Sequence, residues 1–333
     1  MMSRLACSFV LMICFWNMAW ATDDTLNNQQ RPIVLTSNSS KVLPMPVFSA
    51  ETGPQCDSGG NLYFNTGFSA KSRVVLKLDT SDGSTTVFRP RDASAAETYF
   101  VAFHVTAEPK IAILVGGKNN EPYVYEFDEN DPVNAHRISL EVPDGLNALT
   151  VQGFIVLPNQ RILLQGYFDD AAPKERRNHG YVAEFAPSGK LLELSLEKAS
   201  SDVLKSVAGR AAKTEASQSK DGTTFLLEAD RIVVLSPAGQ VERTIKLTPP
   251  EPGYLSDQLY MHRGQLVVGF YHIEDGGRPK VRYELMNPWT GEIIRIYQAA
   301  AELGNNLVCF SDEGLSFMKE EKGHVKLMNA SVK

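Results

Sequence analysis

A pattern of about fifty residues recurs six times along the 333-residue chain and constrains its fold more than any other feature. Each unit contains an apolar strand, a short turn, a second apolar strand, a loop and a third strand. Aligned just after the first turn, the units begin their second strands at Leu62, Ile111, Ile162, Thr224, Leu266 and Leu315, with spacings of 49, 51, 62, 42 and 49 residues. Repeats of this period are typical of β-propellers, in which each unit forms one blade.

The turns after the third strands repeat in letters as well as in spacing. Residues 186–189 read Ala-Pro-Ser-Gly, residues 236–239 read Ser-Pro-Ala-Gly, and residues 287–291 are a longer version, Asn-Pro-Trp-Thr-Gly. Proline presets the backbone of a turn and glycine readily adopts a positive φ, so these segments predict hairpin turns. An alternating segment follows, which is typical of an outer strand with one solvated face. We therefore predict an all-β chain, a six-bladed β-propeller with four-stranded blades.

The sixth unit lacks a fourth strand, because the chain ends at Lys333 shortly after the third one. The opposite end of the chain offers an apolar segment at residues 32–36, Pro-Ile-Val-Leu-Thr. An N-terminal strand that completes the last blade would remove an open sheet edge. We predict that residues 32–36 take this place and that residues 22–333 form one propeller domain. A single helical pattern at residues 202–213 is interpreted as an insertion between blades.

The first 21 residues have the pattern of a secretory signal peptide. Arg4 precedes the apolar residues 5–20, which end in Ala19-Trp20-Ala21, a small-x-small cleavage site. The apolar run is short for a bilayer span, and an uncleaved membrane anchor is the alternative interpretation. We expect an exported protein, periplasmic or extracellular, with no membrane span after cleavage.

The charge of the chain bears on its partners. Its 33 basic and 39 acidic residues give a net charge of -6. Binding to nucleic acid requires a concentrated positive surface, which this balance does not supply. We therefore expect no nucleic-acid partner.

Residues 57–64, Asp-Ser-Gly-Gly-Asn-Leu-Tyr-Phe, carry a resemblance to a known family. They resemble the inner hairpin of NHL-type six-bladed propeller repeats, which has a D-x-x-G-N-L-Y-V-like sequence. The resemblance covers all six units as a pattern but only the first unit in its letters. It implies the propeller fold. The functions of such propellers range from interaction modules to lactone hydrolases and lyases, so the fold does not imply one of them.

Polar residues near the starts of the inner strands are candidates for a site in the central channel. They are Gln152, Glu215, Asp257 and Asn306. Resemblance to gluconolactonase-type propellers would make such a ring a divalent-metal site, because calcium takes carboxylate and amide oxygens. The alternative is a water-filled channel lined by polar residues without activity. No other cofactor is expected.

Two long loops carry basic residues that would lie on the rim of the channel. The first contains Lys174, Arg176 and Arg177, and the second contains Arg278. Basic residues beside an acidic channel would bind an anionic or zwitterionic ligand, or a segment of a partner. The alternative is a pair of solvated hairpin tips.

Catalytic motifs are absent from the sequence. It contains no G-x-S-x-G elbow, no paired histidines with zinc spacing, no C-x-x-C and no glycine-rich nucleotide loop. We therefore predict a non-enzymatic binding module that holds a protein or a small polar ligand at the channel mouth. The alternative is a metal-dependent hydrolase, lactonase-like, or a lyase with its site in the central channel.

The four cysteines fall into two groups. Cys7 and Cys14 lie in the predicted signal peptide, whereas Cys56 and Cys309 each lie six residues before the second strand of their units. These units are the first and the last, which become neighbours when the ring closes, and an oxidising compartment favours a disulfide between them. Equivalent positions on neighbouring blades can exceed the Cα separation of about 7 Å that a disulfide tolerates. Two buried free cysteines are therefore the alternative.

Overall fold

The computed structural model describes most of the chain from residue 32 onwards. The described residues are 32–43, 54–66, 74–90, 99–106, 108, 110–117, 121–142, 149–168, 174, 179–198, 216–228, 230–273, 280–304, 306–322 and 324–332. They form 25 β-strands in six sheets, which are arranged in a ring as a six-bladed β-propeller. The predicted fold class is thus confirmed. The predicted signal peptide at residues 1–21 and the predicted helix at residues 202–213 lie outside the described residues.

In each blade the strands follow chain order from the channel outwards. Blade 1 contains β3 (Gln55–Cys56), β4 (Leu62–Thr66), β5 (Val74–Leu78) and β6 (Thr85–Phe88). Blade 2 contains β7 (Tyr99–Val105), β8 (Lys110–Gly116), β9 (Pro122–Asp128) and β10 (Asp131–Ser139). Blade 3 contains β11 (Leu149–Val156), β12 (Ile162–Phe168), β13 (His179–Phe185) and β14 (Leu191–Lys198).

The other three blades follow the same order. Blade 4 contains β15 (Ala216–Gln218), β16 (Thr224–Glu228), β17 (Arg231–Leu235) and β18 (Val241–Lys246). Blade 5 contains β19 (Leu255–His262), β20 (Gln265–His272), β21 (Lys280–Met286) and β22 (Ile293–Ala299). Blade 6 contains β23 (Asn306–Ser311), β24 (Gly314–Glu321) and β25 (His324–Ala330).

An N-terminal strand completes blade 6, as predicted, but it is not the predicted segment. The strand is β2 (Ser39–Val42), which pairs antiparallel with β25. The predicted residues 32–36 instead contain β1 (Ile33–Leu35), which pairs parallel with β22 as a fifth strand of blade 5. The exposed outer position suits the polar sequence of β2, whereas β1 places Leu35 in the apolar core between blades 5 and 6.

Six apolar clusters hold the ring together, one at each junction between neighbouring blades. The N-terminal segment contributes to two of them, through Leu35 between blades 5 and 6 and through Leu43 between blades 6 and 1. Full burial of a leucine side chain stabilises a fold by roughly 1.5–3 kcal/mol. The segment therefore binds by its apolar side chains as well as by strand pairing.

The predicted Pro-x-Gly turns have the backbone that their letters imply. Gly189 and Gly239 have φ values of 84° and 81°, in the region that side chains other than glycine rarely adopt. A Cβ atom at Gly189 would also lie 1.9 Å from the carbonyl oxygen of Ser139. This glycine therefore permits the turn of blade 3 to approach the outer strand of blade 2.

A helix must be long and apolar to cross a membrane. Among the described residues, no helix has the length and apolar character needed to cross a bilayer.

Candidate functional site

Side chains at the ends of the inner strands link each blade to the next. The inner strand of every blade runs towards the turn that precedes its second strand, and we call this the turn end of the channel. At this end the backbone of one inner strand is bonded by a side chain from its neighbour. The bonds together form a complete ring.

Gln55 links blade 1 to blade 2 by both atoms of its amide group. Its Nε2 donates to the carbonyl oxygen of Phe103 at 2.8 Å, and its Oε1 accepts from the backbone N–H of Val105 at 2.8 Å. The amide group thus takes the place of a peptide group in a neighbouring strand. It satisfies backbone groups of β7 that have no strand partner on the channel side.

Blades 2, 3 and 4 are linked through one residue, Val156. The backbone N–H of Val156 donates to Nδ1 of His104 in blade 2 at 3.2 Å, and its carbonyl oxygen accepts from Nε2 of Gln218 in blade 4 at 2.9 Å. His104 is only 4% exposed. Burial lowers the pKa of its imidazole to about 4, so the ring is neutral at pH 7.

The remaining junctions complete the ring. Ser217 Oγ of blade 4 accepts from the backbone N–H of Met261 in blade 5 at 2.8 Å, and the hydroxyl of Tyr260 donates to the carbonyl oxygen of Leu307 in blade 6 at 2.9 Å. Between blades 6 and 1 a disulfide joins Cys309 to Cys56, with a Cα–Cα distance of 5.5 Å. Five junctions are thus hydrogen-bonded and the sixth is covalent.

Three of these linking residues share one position in the repeat. Gln55, His104 and Ser217 each lie seven residues before the residue at which the six units were aligned, and each bonds to the following blade. The sequence interpretation concentrated on the starts of the inner strands and missed them. The detectable signal is a polar residue that recurs at this position of the inner strand in three units.

A cavity of about 70 Å³ opens at the turn end of the channel, and we call it the channel-end cavity. It lies among the inner strands of blades 1, 2, 4 and 5. A water molecule needs about 10–15 Å³ measured in this way, so the cavity has room for about five waters or a small organic group. Polar residues that line it include Gln55, Asp57, His104, Ser217, Gln218 and Lys220.

Asp57 lines the cavity, but its carboxylate is bonded within its own turn. The carboxylate accepts from the backbone N–H groups of Gly59 and Asn61 at 2.8 and 3.0 Å, from Nδ2 of Asn61 at 2.9 Å, and from the hydroxyl of Tyr63 at 3.0 Å. Burial of Tyr63, together with the adjacent carboxylate, raises the pKa of its phenol far above the usual value. Asp57 therefore shapes the turn that forms one wall of the cavity.

Charged residues lie on turns at this end of the channel, and Lys220 among them lines the cavity. Lys220 is exposed on the turn of blade 4. Asp312, on the turn of blade 6, bonds to Nε2 of His262 at 2.6 Å and to Nη2 of Arg263 at 2.5 Å. The hydrogen bond from His262, followed by the charges of Arg263, His262 and Lys220, lowers the pKa of Asp312. Lys220 therefore lies close enough to this group to act on it electrostatically.

Among the described residues, the channel candidates predicted from sequence lie near the other end of the inner strands. Asp257 is exposed in β19, and Asn306 is half-buried as the first residue of β23. Gln152 lies in β11 with a side chain that is not described, and Glu215 is outside the described residues. Of the predicted rim residues, Lys174 is exposed, whereas Arg176, Arg177 and Arg278 are outside the described residues.

Two of these candidates lie at β-bulges that recur near the starts of the inner strands. Each of four inner strands contains a β-bulge near its start, and the extra residues are Val101, Gln152, Asp257 and Val308. A bulge turns a side chain away from its regular direction, and bulges are common beside active sites. Gln152 and Asp257 are the polar pair among the four.

A calcium ion takes six to eight oxygen ligands, so a calcium site needs several oxygen-bearing side chains close together. In the described part of the chain, no three His, Cys, Asp or Glu side chains are arranged to hold a metal ion. Among the four predicted ligands, only Asp257 and Asn306 have described side chains. Because the side chain of Gln152 and all of Glu215 lie outside the described part of the chain, the calcium site stays a prediction.

Comparisons with known proteins bear on the fold. No family model matches the sequence, and no curated protein matches it. A luciferin-regenerating enzyme superimposes with a TM-score of 0.52 at 11% identity, over 88% of this chain and 97% of its own. Regucalcin from Agrobacterium tumefaciens, described as a calcium-binding protein, gives a TM-score of 0.50 at 12% identity, over 90% and 96%. At such identities the likeness shows a shared six-bladed propeller fold and nothing finer.

Proposed function

We propose that this protein is an exported, non-enzymatic propeller that binds a small polar ligand in the channel-end cavity. The observation that carries the proposal is the cavity itself, which is lined by polar as well as apolar residues and has room for a small organic group. Export is inferred from the signal-like sequence at residues 1–21. Kinship with NHL-type repeats, inferred from residues 57–64, belongs to the same proposal.

The rigidity of the walls favours binding. Four of the side chains that line the cavity are held by bonds between blades, so they have few rotamers left to be ordered when a ligand enters. They are Gln55, His104, Ser217 and Gln218. Ordering a flexible side chain on binding costs roughly 0.5–1.5 kcal/mol, and walls that are already ordered avoid that cost. The site is thus preorganised for a small molecule.

A thermal-shift screen of sugars, polyols, amines and carboxylates with the mature protein tests the proposal. Ser58 is exposed on the turn at the rim of the cavity, and Ser58→Phe would obstruct the cavity without removing a link. Ser188→Phe, on an exposed turn of blade 3, is the matched control. We expect ligands that raise the Tm of the wild type and of the control but not of Ser58→Phe. Hits that stabilise all three proteins equally, or no hits at all, would overturn the proposal.

A second candidate is a divalent-metal-dependent hydrolase or lyase at the opposite end of the channel. The bulges that carry Gln152 and Asp257 support it, as does the fold shared with a calcium-binding protein and with an enzyme. Glu215 and Asn306 would complete the ligand set. Melting with calcium or EDTA separates the two candidates. A calcium-dependent rise in Tm that Asp257→Ala abolishes would favour the metal-dependent function.

A further inference from the structure

We propose that the channel-end cavity is selective for a small carboxylate, bound by His104, Ser217 and Lys220. This inference rests on the proposed function and specifies the class of ligand. The links between blades use only some of the donors and acceptors on the walls of the cavity, and the unused ones can bind a ligand.

His104 supplies a fixed donor. Its Nδ1 accepts the N–H of Val156, so in the neutral ring the proton is on Nε2. Among the described residues, no group accepts a hydrogen bond from Nε2. Nε2 is also not fully enclosed by protein atoms. His104 lines the cavity, and we infer that its Nε2–H is within reach of a ligand there.

Ser217 supplies a second donor. Its Oγ accepts from the backbone of Met261, which uses a lone pair and leaves the hydroxyl proton for another acceptor. Lys220 adds three N–H donors and a positive charge at the mouth. The unused groups of these three residues are therefore chiefly donors.

The side-chain acceptors of Asp57 and Gln55, which lie on the same walls, are occupied. Asp57 accepts four hydrogen bonds within its turn, and Oε1 of Gln55 is bonded to Val105. A ligand that mainly donates hydrogen bonds would leave Nε2–H of His104 without a partner. A carboxylate has two acceptor oxygens and a negative charge, and hydrogen bonds that involve a charged group are stronger than neutral ones. The volume of about 70 Å³ suits a carboxylate of acetate size.

The inference is tested by NMR on ¹⁵N-histidine-labelled mature protein at pH 7, with sodium acetate replacing sodium chloride at constant ionic strength. His104→Gln identifies the His104 signals; if that variant fails to fold, a nuclear Overhauser contact with the amide of Val156 identifies them. The ring is neutral at this pH, so a shift at Nε2 reports hydrogen bonding. We expect a saturable shift with acetate and a much smaller one with neutral acetamide.

Lys220→Met provides the charge test, with the exposed Lys190 on the turn of blade 3 substituted by Met as the control. We expect Lys220→Met to weaken acetate binding by about threefold, in the range of an exposed ion pair, and Lys190→Met to leave it unchanged. Equal shifts with acetate and acetamide would overturn the carboxylate preference while leaving a polar-ligand site intact. Absence of a shift at His104 would overturn the inference, and the Ser58→Phe screen would then decide the proposed function separately.

Discussion

The disulfide between Cys56 and Cys309 covalently joins the inner strand of the first blade to that of the last, with their Cα atoms 5.5 Å apart. At the other five junctions, the side chains of Gln55, Gln218 and Tyr260 donate hydrogen bonds to the neighbouring inner strand, and those of His104 and Ser217 accept them. At the outer side of blade 6, β2 closes the sheet against β25. The junction where the two ends of the ring meet is therefore secured at both its inner and its outer edge.

Removal of the disulfide should destabilise the ring. The bond closes a loop of 253 residues, and a long loop gains much conformational entropy in the unfolded chain when its crosslink is lost. We expect Cys56→Ser with Cys309→Ser to lower the free energy of unfolding by about 3–5 kcal/mol in urea denaturation. Treatment of the wild type with a reductant should have a similar effect.

Thiol titration provides the control for this prediction. Denatured, unreduced protein that begins at residue 22 should show no reactive thiol, and reduction should release two. Two reactive thiols before reduction would contradict the bond, and the double variant would then retain wild-type stability.

The closure also shows how far sequence reasoning extends. The repeat spacing specified six blades, since each unit must bury its faces against the next, and the incomplete sixth unit required an N-terminal strand. The choice of residues 32–36 was wrong because it followed apolar character. An outer edge strand is largely exposed to solvent, so polar residues such as those of β2 suit this position.

Sequence reasoning located less of the candidate site. The positions of Gln55, His104 and Ser217 repeat in the sequence, but their role depends on distances between strands of different blades. These distances follow from how tightly the inner strands approach around the channel. Spacing along one chain contains no such information, which is why the starts of the strands received more weight than their ends.

The amide of Gln55 should contribute strongly to stability. Gln55→Ala leaves the N–H of Val105 and the carbonyl of Phe103 without their partner, and leaving a buried polar group unsatisfied costs about 1–3 kcal/mol. We expect a loss of about 2–4 kcal/mol in urea unfolding. Gln240→Ala, on an exposed turn of blade 4, should change stability by less than about 0.5 kcal/mol. Equal stabilities of the two variants would show that water replaces the amide.

The buried acid Glu284 should make stability fall as pH rises. Its side chain is fully buried in β21, and within the described part of the chain neither carboxylate oxygen has a hydrogen-bond partner. Burial raises the pKa of the carboxyl from 4.5 to about 7. Between these values the folded state binds the proton and the unfolded state releases it, so stability is lost as pH rises, by about 3 kcal/mol in total. Glu284→Gln should remove this loss.

The measurement is the free energy of unfolding from pH 5 to pH 8 for the wild type, Glu284→Gln and the exposed control Glu193→Gln. His104 acts in the opposite direction, because burial lowers its pKa to about 4. Its contribution to stability rises with pH between this value and the pKa of the imidazole in the unfolded chain. The difference between the wild type and Glu284→Gln isolates the acid. Parallel curves for the wild type and Glu284→Gln would refute the prediction, as would an effect of the same size from Glu193→Gln.

Strand β2 should close blade 6 even when it is supplied as a separate peptide. A chain that begins at residue 44 lacks β1, β2 and the buried Leu43, and exposes the edge of β25. An open strand edge invites pairing with another chain, so we expect self-association and a loss of at least about 3 kcal/mol. A peptide of residues 36–43 should bind this edge and restore much of the lost stability, whereas the same peptide with Leu43→Asp should not. Sedimentation and urea unfolding measure both effects. If the shortened chain remained monomeric and as stable as the intact one, pairing of β2 would have no role in closure.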